Sequence, residues 1–183
     1  MPRAFIAIRP PAAVLNAIAE RMVPVDVRGG RATTREQWHV TIRFLGDHVD
    51  VDAVESAFAR RPLDVGPGEI AFDGAAALGS ARRARVLVLK VGAGGAWARE
   101  LAAQVGERIL PLGYGPDEHR VFVPHLTLAR FREPTDVRAL CAAVGPEPVG
   151  SPWPVTEVVL FESELHPDGA RHTARAGLPL DQR

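Results

Sequence analysis

Two short apolar stretches built on one plan constrain this chain more than anything else in it. The first is Trp38-His39-Val40-Thr41-Ile42-Arg43-Phe44-Leu45-Gly46, and the second is Pro124-His125-Leu126-Thr127-Leu128-Ala129-Arg130. Each carries one His and, two positions on, one Thr. Side chains two apart on a β-strand point to the same face. His39 and Thr41 therefore project together from one predicted strand, and His125 and Thr127 from another. Val40, Ile42 and Phe44 alternate to the opposite face and read as core, as do Leu126 and Leu128. The motifs stand close to half a chain length apart. That spacing predicts a two-lobed molecule with one His-x-Thr from each lobe facing a shared cleft.

Strand and helix signals surround both motifs in the same order. Ala4 to Arg9 reads as a buried strand, stopped by Pro10 and Pro11. Those prolines open a helix where a missing N–H costs little, and Val14, Leu15, Ile18 and Met22 recur along it at helical spacing. After the first His-x-Thr strand, Asp50 or Asp52 caps a second helix with Val54, Ala57 and Phe58 on its inner side. Glu69 to Leu78 and Arg85 to Val91 read as two strands. Gly92 to Gly95 is a flexible joint, followed by a helix from about Ala96 to Leu110 with Trp97, Leu101, Val105, Arg108 and Ile109 marking a face. Leu112 to Arg120 reads as a polar loop. Val121 to Phe131 holds the second His-x-Thr, and a helix from Pro134 and Thr135 runs to about Val144. Gly145 to Pro154 reads as loop. Val155 to Leu165 is a long strand, and a turn at His166-Pro167-Asp168-Gly169 returns it as a hairpin through Arg171 to Leu180. The prediction is an α+β fold, one bilobal domain over 1–183, with two mostly antiparallel sheets and outer helices about a pseudo-twofold cleft.

Composition excludes several classes. The chain has 183 residues, 46% of them hydrophobic and 24% charged, with a formal net charge of zero. That balance suits a globular protein and gives no bulk electrostatic case for duplex DNA or an anionic membrane. A single cysteine, Cys141, forms no internal disulfide, and its apolar neighbours mark it as a small buried hydrophobe. No carboxylate stands at ligand spacing around either motif, so no metal and no cofactor are expected. The apolar run at the N-terminus is too short for a signal peptide. A cytoplasmic protein is expected, with nothing in the sequence demanding more than a monomer.

Two imidazoles across a cleft suit paired acid–base chemistry. Histidine titrates near neutral pH, so one ring can take a proton while the other gives one. The adjacent Thr hydroxyls donate hydrogen bonds to anionic oxygens. A phosphodiester fits such a box. It needs a proton taken from a nucleophile, a proton given to a leaving oxygen, and donors for the remaining oxygens.

The paired motif resembles that of the 2H phosphoesterase superfamily, and within it the RNA 2',3'-cyclic phosphodiesterases, also called 2'-5' RNA ligase-like proteins. The likeness extends to the opening strand, Arg3-Ala-Phe-Ile-Ala-Ile8, and to the closing hairpin, Val159-Leu-Phe-Glu-Ser163 with Pro167-Asp-Gly-Ala-Arg171-His-Thr173. The resemblance implies a bilobal α+β fold. It also implies metal-independent opening of RNA 2',3'-cyclic phosphate ends to a 2'-phosphate and a free 3'-hydroxyl, with 2'-5' ligation in some members. His39 and His125 become the acid–base pair, and Thr41 and Thr127 hold the phosphate. In this reading His125 activates water and His39 protonates the departing 3' oxygen, a direction the sequence does not fix. Arg130 becomes a further phosphate ligand. Strict alternation puts it on the face opposite His125, unless a bulge brings it round. Arg43 alternates onto the His39 face and is a second candidate, its plainer reading being a solvated rim residue. Phe161 and His172 stand where many relatives have Tyr, so any substrate contact of those hydroxyls is absent or altered here; His172 either replaces one of them or, more simply, is a surface residue of the hairpin.

Other residues have plain readings. His48, His119 and His166 fall in predicted turns and read as exposed. Phe5, Phe44, Phe122, Phe131, Trp38 and Trp97 read as core, unless one of them stands at a cleft edge and stacks on a nucleobase. Two rival functions stand beside the first: a 2H enzyme acting on 2'-5' oligoadenylate or a small cyclic nucleotide, and a non-catalytic module that binds RNA ends.

Overall fold

A computed structural model describes residues 2–60, 63–115, 121–167 and 169–180. In chain order the elements are β1 (Arg3–Ile8), α1 (Ala12–Met22), β2 (Gly30–Ala32), β3 (Val40–Gly46), α2 (Val51–Ala59), β4 (Gly68–Ala77), β5 (Ala84–Val91), α3 (Gly95–Ile109), β6 (His125–Thr135), α4 (Arg138–Val144), β7 (Val149–Val155), β8 (Glu157–His166) and β9 (Gly169–Pro179). The expected α+β architecture is present. Parts of the predicted polar loop and of the closing turn, with His119 and Asp168, lie outside the described residues.

Strand order explains the two lobes. The path runs β7-β4-β5-β6-β3-β1-β8-β9, with β2 added alongside β6. Four strands, β3-β1-β8-β9, form one antiparallel half, and four others, β6-β5-β4-β7, form the second. The halves meet where β3 and β6 pair, with the single registered pair Val40↔Leu126. Each His-x-Thr strand is thus the innermost strand of its own half. The lobes are not the two halves of the sequence, however. One lobe combines the chain's beginning with its end, and the other is its middle.

The helices cover one face of the sheet, and local chemistry places them. Asp50 caps α2, its Oδ1 accepting from the Ala53 N–H at 3.0 Å; loss of such a cap costs about 1 kcal/mol. Val54 and Phe58 then face inward. Gly94 takes a left-handed φ of 75° ahead of α3. A side chain there would meet the Glu69 carbonyl oxygen at 2.1 Å, so glycine is required. Leu101, Val105 and Ile109 of α3 and Val14 and Ile18 of α1 join Ile6, Ile8, Val40, Ile42, Leu126 and Leu128 in the main core. Alternate residues of β1 go elsewhere. Phe5 and Ala7 form a separate small cluster with Val159 and Phe161. A two-residue period splits β1 between the helix-covered core and the opposite face, where the cleft lies.

Two strands have no counterpart in the sequence pattern. β7 occupies the stretch read as loop, and β2 the stretch before the first motif. Pro152 and Pro154 lie within β7. An edge strand tolerates proline because half of its N–H groups have no ladder partner, and β7 ends the strand path. β2 is three residues long, too short to show a period. At the other boundary, Pro134 and Thr135 extend β6 instead of opening α4.

Candidate active site

The face away from the helices holds a cleft of about 420 Å³ lined by His39, Thr41, His125, Thr127 and Arg130. These are the two motifs brought together, as expected. Each histidine sits at the start of its inner strand, and each is followed by a threonine on the same face.

Both rings are held in the same way. His125 Nδ1 lies 2.7 Å from the Val123 carbonyl oxygen, two residues upstream. His39 likewise bonds the backbone of Gln37, two residues upstream. A ring N–H donated to a carbonyl leaves the other nitrogen as an acceptor. His125 therefore presents Nε2 as a base.

Their surroundings differ. His39 stacks on Phe5, with ring centroids 4.6 Å apart and planes 25° apart. Phe5 stacks in turn on Phe161 at 5.1 Å. Burial against this wall lowers His39 most; competition for a proton with His172 and His125 and the charge of Arg130 lower it further, to about 3, against an upward pull from the Gln37 bond. His125 is also lowered, by burial and then by Arg130, with the Val123 bond opposing. Both rings are neutral near pH 7 in the free protein.

A bulge follows the threonine in each strand and decides what comes next. In β3 the pairing with β1 jumps from Ala7↔Thr41 to Ile6↔Arg43. In β6 the pairing with β5 jumps from Val88↔Thr127 to Leu87↔Ala129. An extra residue in a strand inverts the alternation beyond it. Leu128 and Ala129 are consecutive and both fully buried, so Arg130 returns to the cleft face. Arg130 is thus brought round to the site. The same device corrects two expectations in β3. Phe44, read as core, is 52% exposed and lines the cleft. Arg43, read onto the His39 face, leaves the cleft and lies against α3, close to Gly106. Its Nε is buried without a hydrogen-bond partner.

A relay of hydrogen bonds sets the two motifs against each other. Thr33 Oγ1 donates to the Thr127 carbonyl oxygen at 2.7 Å, at the β6 bulge. Trp38 Nε1 donates to the same Thr33 oxygen at 3.0 Å. Trp38 immediately precedes His39 and is 7% exposed, in agreement with its core reading. Gln37 accepts from the Thr34 N–H at 3.0 Å and donates to the Ala170 carbonyl of β9 at 2.7 Å. The turn before His39 is thereby pinned both to β6 and to the β8–β9 hairpin.

That hairpin supplies a residue read as surface. His172 lines the cleft, edge-on to His39 with centroids 5.2 Å apart and to Phe5 at 4.9 Å. The sequence signal was the pairing of the hairpin, which sets His172 opposite Ser163, itself buried and on the cleft wall. Phe161 is buried under Arg9, whose guanidinium lies 5.2 Å from the ring centroid.

The cleft is electropositive although the chain is neutral overall. Arg3, Arg31 and Arg130 line it together with three histidines, and no carboxylate does among the described residues, although Arg3 Nε is paired with Asp47 Oδ1 at 2.8 Å outside the lining. Such a concave, single-sign surface concentrates anions. Among the described residues no cluster of His, Cys, Asp or Glu is arranged to hold a metal ion, and no helix is long and apolar enough to cross a membrane.

Comparison with known proteins agrees with this geometry. Residues 10–167 match the model of the 2'-5' RNA ligase superfamily. A protein of Aquifex aeolicus (strain VF5) named RNA 2',3'-cyclic phosphodiesterase is 28% identical over 125 residues, covering 64% of this chain and 65% of that protein. The match thus spans just under two-thirds of that relative's length. The crystal structure of TT0787 of Thermus thermophilus superposes with a TM-score of 0.77 at 27% identity, covering 97% of both chains. E. coli LigT complexed with 3'-AMP shares the fold at a TM-score of 0.77 and 24% identity, over 99% of both chains. On the matched span and the shared fold, the chain belongs to the 2'-5' RNA ligase superfamily.

Proposed function

We propose that this protein hydrolyses RNA 2',3'-cyclic phosphate ends to a 2'-phosphate and a 3'-hydroxyl by a metal-independent, two-histidine mechanism. The observation that carries the reading is a single electropositive cleft lined by both His-x-Thr pairs and Arg130. The name of the Aquifex relative supports the substrate class.

His125 Nε2 takes a proton from water as its oxygen bonds to phosphorus. The bond from phosphorus to the 3' oxygen breaks, and His39 delivers its proton to that oxygen. Thr41, Thr127 and Arg130 hold the non-bridging oxygens as charge builds on them. The anionic substrate raises His39 from its low value, so the ring becomes charged only when a phosphodiester occupies the cleft. The proton that the ring then carries is given to the departing alkoxide, a far stronger base than imidazole. A 5'-hydroxyl in place of water would form a 2'-5' linkage by the same steps.

The test is hydrolysis of a short oligoribonucleotide ending in 2',3'-cyclic phosphate, in EDTA, with the product read by phosphorus NMR. A 2'-phosphate is expected. A 3'-phosphate would reverse the assignment of the leaving oxygen. Activity lost in EDTA and restored by a divalent ion would overturn the metal-independent chemistry. Inertness towards every cyclic phosphate would leave the cleft an anion-binding module.

A further inference from the structure

His172 is the one histidine of the cleft that the mechanism above does not use. Its ring plane is fixed from two sides, at 89° to His39 and 84° to Phe5. Its Nδ1 is buried and has no hydrogen-bond partner. Those facts select one protonation state. A proton on Nδ1 would leave a buried N–H donor unsatisfied, and orphaned buried N–H groups are rarer in folded proteins than under-satisfied acceptors. The imidazolium carries a proton on both nitrogens, so it suffers the same penalty. It would also stand near the guanidinium groups of Arg3, Arg31 and Arg130, which line the same cleft together with the neutral rings of His39 and His125. Burial and Arg130 accordingly lower its affinity for a second proton. What remains is the neutral tautomer with its proton on Nε2. In an imidazole the Nε2–Cδ2 edge lies across the ring from Nδ1–Cε1. With Nδ1 buried, the part of this partly buried ring that reaches the cleft is the Nε2 edge.

We infer that His172 is a substrate-binding residue, a fixed neutral donor that presents Nε2–H to a phosphodiester oxygen beside His39. The identity of that oxygen rests on the cyclic phosphodiester reading; the tautomer and its contact with an anion do not. A neutral donor suits this position. It adds a hydrogen bond to the anion without placing a second positive charge beside the proton that His39 must accept.

The experiment has two arms. In the first, the wild-type protein labelled with 15N at histidine is titrated by NMR from pH 5 to 8, alone and with inorganic phosphate. His172 is expected to keep the Nε2–H form throughout, and phosphate should shift its Nε2 resonance. A proton on Nδ1, an ordinary titration near 6.5, or an Nε2 indifferent to phosphate overturns the inference. In the second, His172→Phe keeps a flat ring and removes the donor, while His172→Gln keeps a donor. His172→Phe should raise KM for the cyclic phosphate roughly 10–100-fold, the worth of one hydrogen bond to a charged group, with kcat within about twofold. His172→Gln should recover most of that loss. Equal KM values in His172→Phe and wild type, or no recovery in His172→Gln, overturn it. A wild-type protein inert toward cyclic phosphates would sink the proposed function alone, and the NMR arm would still decide the role of His172.

Discussion

The two inner strands begin alike and part after the threonine. Both present His, then Thr, then a bulge, then a third cleft-facing side chain. In β6 that third residue is Arg130; in β3 it is Phe44. One lobe therefore offers the phosphate a cation and the other an aromatic ring, with Arg3 5.3 Å over its centroid. The histidines differ in the same sense. Both rings bond an upstream backbone group, but His39 also stacks on Phe5. A duplicated frame thus carries two unlike half-sites, and in the proposed mechanism that asymmetry separates the base from the acid.

The strongest way to break this comparison is to remove each histidine. His39→Ala and His125→Ala should each lower turnover on the cyclic phosphate by about 10²–10⁴-fold, with circular dichroism unchanged. The roles separate on a phosphodiester whose leaving group needs no proton, such as a nitrophenolate. There His39→Ala should regain most of its activity and His125→Ala should not. Recovery in the opposite pattern would exchange acid and base.

The third residues come next. Arg130→Ala should weaken binding of inorganic phosphate about 10–100-fold, the value of a charge-assisted hydrogen bond. Phe44→Ala should leave phosphate binding within about twofold, as read by calorimetry. Equal losses in the two variants would mean that the half-sites are not specialised.

Protonation gives a smaller effect with a definite sign. Both histidines are lowered in the free protein. The bell of kcat/KM against pH, which reports the free protein, should lie on the acid side of 6.5. The bell of kcat should lie higher, because a bound anion raises both rings. Stability follows the same shift. His39 falls from 6.5 unfolded to about 3 folded, so between those values the unfolded chain binds the extra proton. Unfolding free energy should therefore decline as pH drops from 6.5 toward 3, by up to ~1.4 kcal/mol per unit. Urea midpoints at pH 7 and 5 measure it, and His39→Gln should flatten the dependence.

The smallest effect sharpens the contrast between two arginines that one motif-based reading treated alike. Arg43→Met should leave kcat/KM unchanged and stability within about 1 kcal/mol, because its buried Nε has no partner to lose. A large fall in kcat/KM would return Arg43 to the site.

Much of this molecule is written in local pattern. The period of two around His39 and His125 gave the inner strands, the facing threonines and the cleft. Asp50 gave a cap, and the spacing of Leu101, Val105 and Ile109 gave the buried face of α3. Pattern failed where the backbone breaks its own period. One extra residue after Thr41 sent Arg43 to the helices and Phe44 to the cleft. One after Thr127 brought Arg130 in. Bulges leave no signal in the alternation that precedes them, because they answer to the register of the neighbouring strand.

The sequence alone determined which chemistry was available: two histidines, each with a threonine on its own face, in a chain with no net charge. Tertiary structure decided how that chemistry is arranged. Strand order placed β8 and β9, from the far end of the chain, beside β1, and so brought Phe161 and His172 to the wall on which His39 rests. It also gathered three arginines and three histidines into one cleft of a neutral protein. A side chain's face is fixed by its own strand, but its neighbours and the proton affinity they impose are fixed only when distant strands pair.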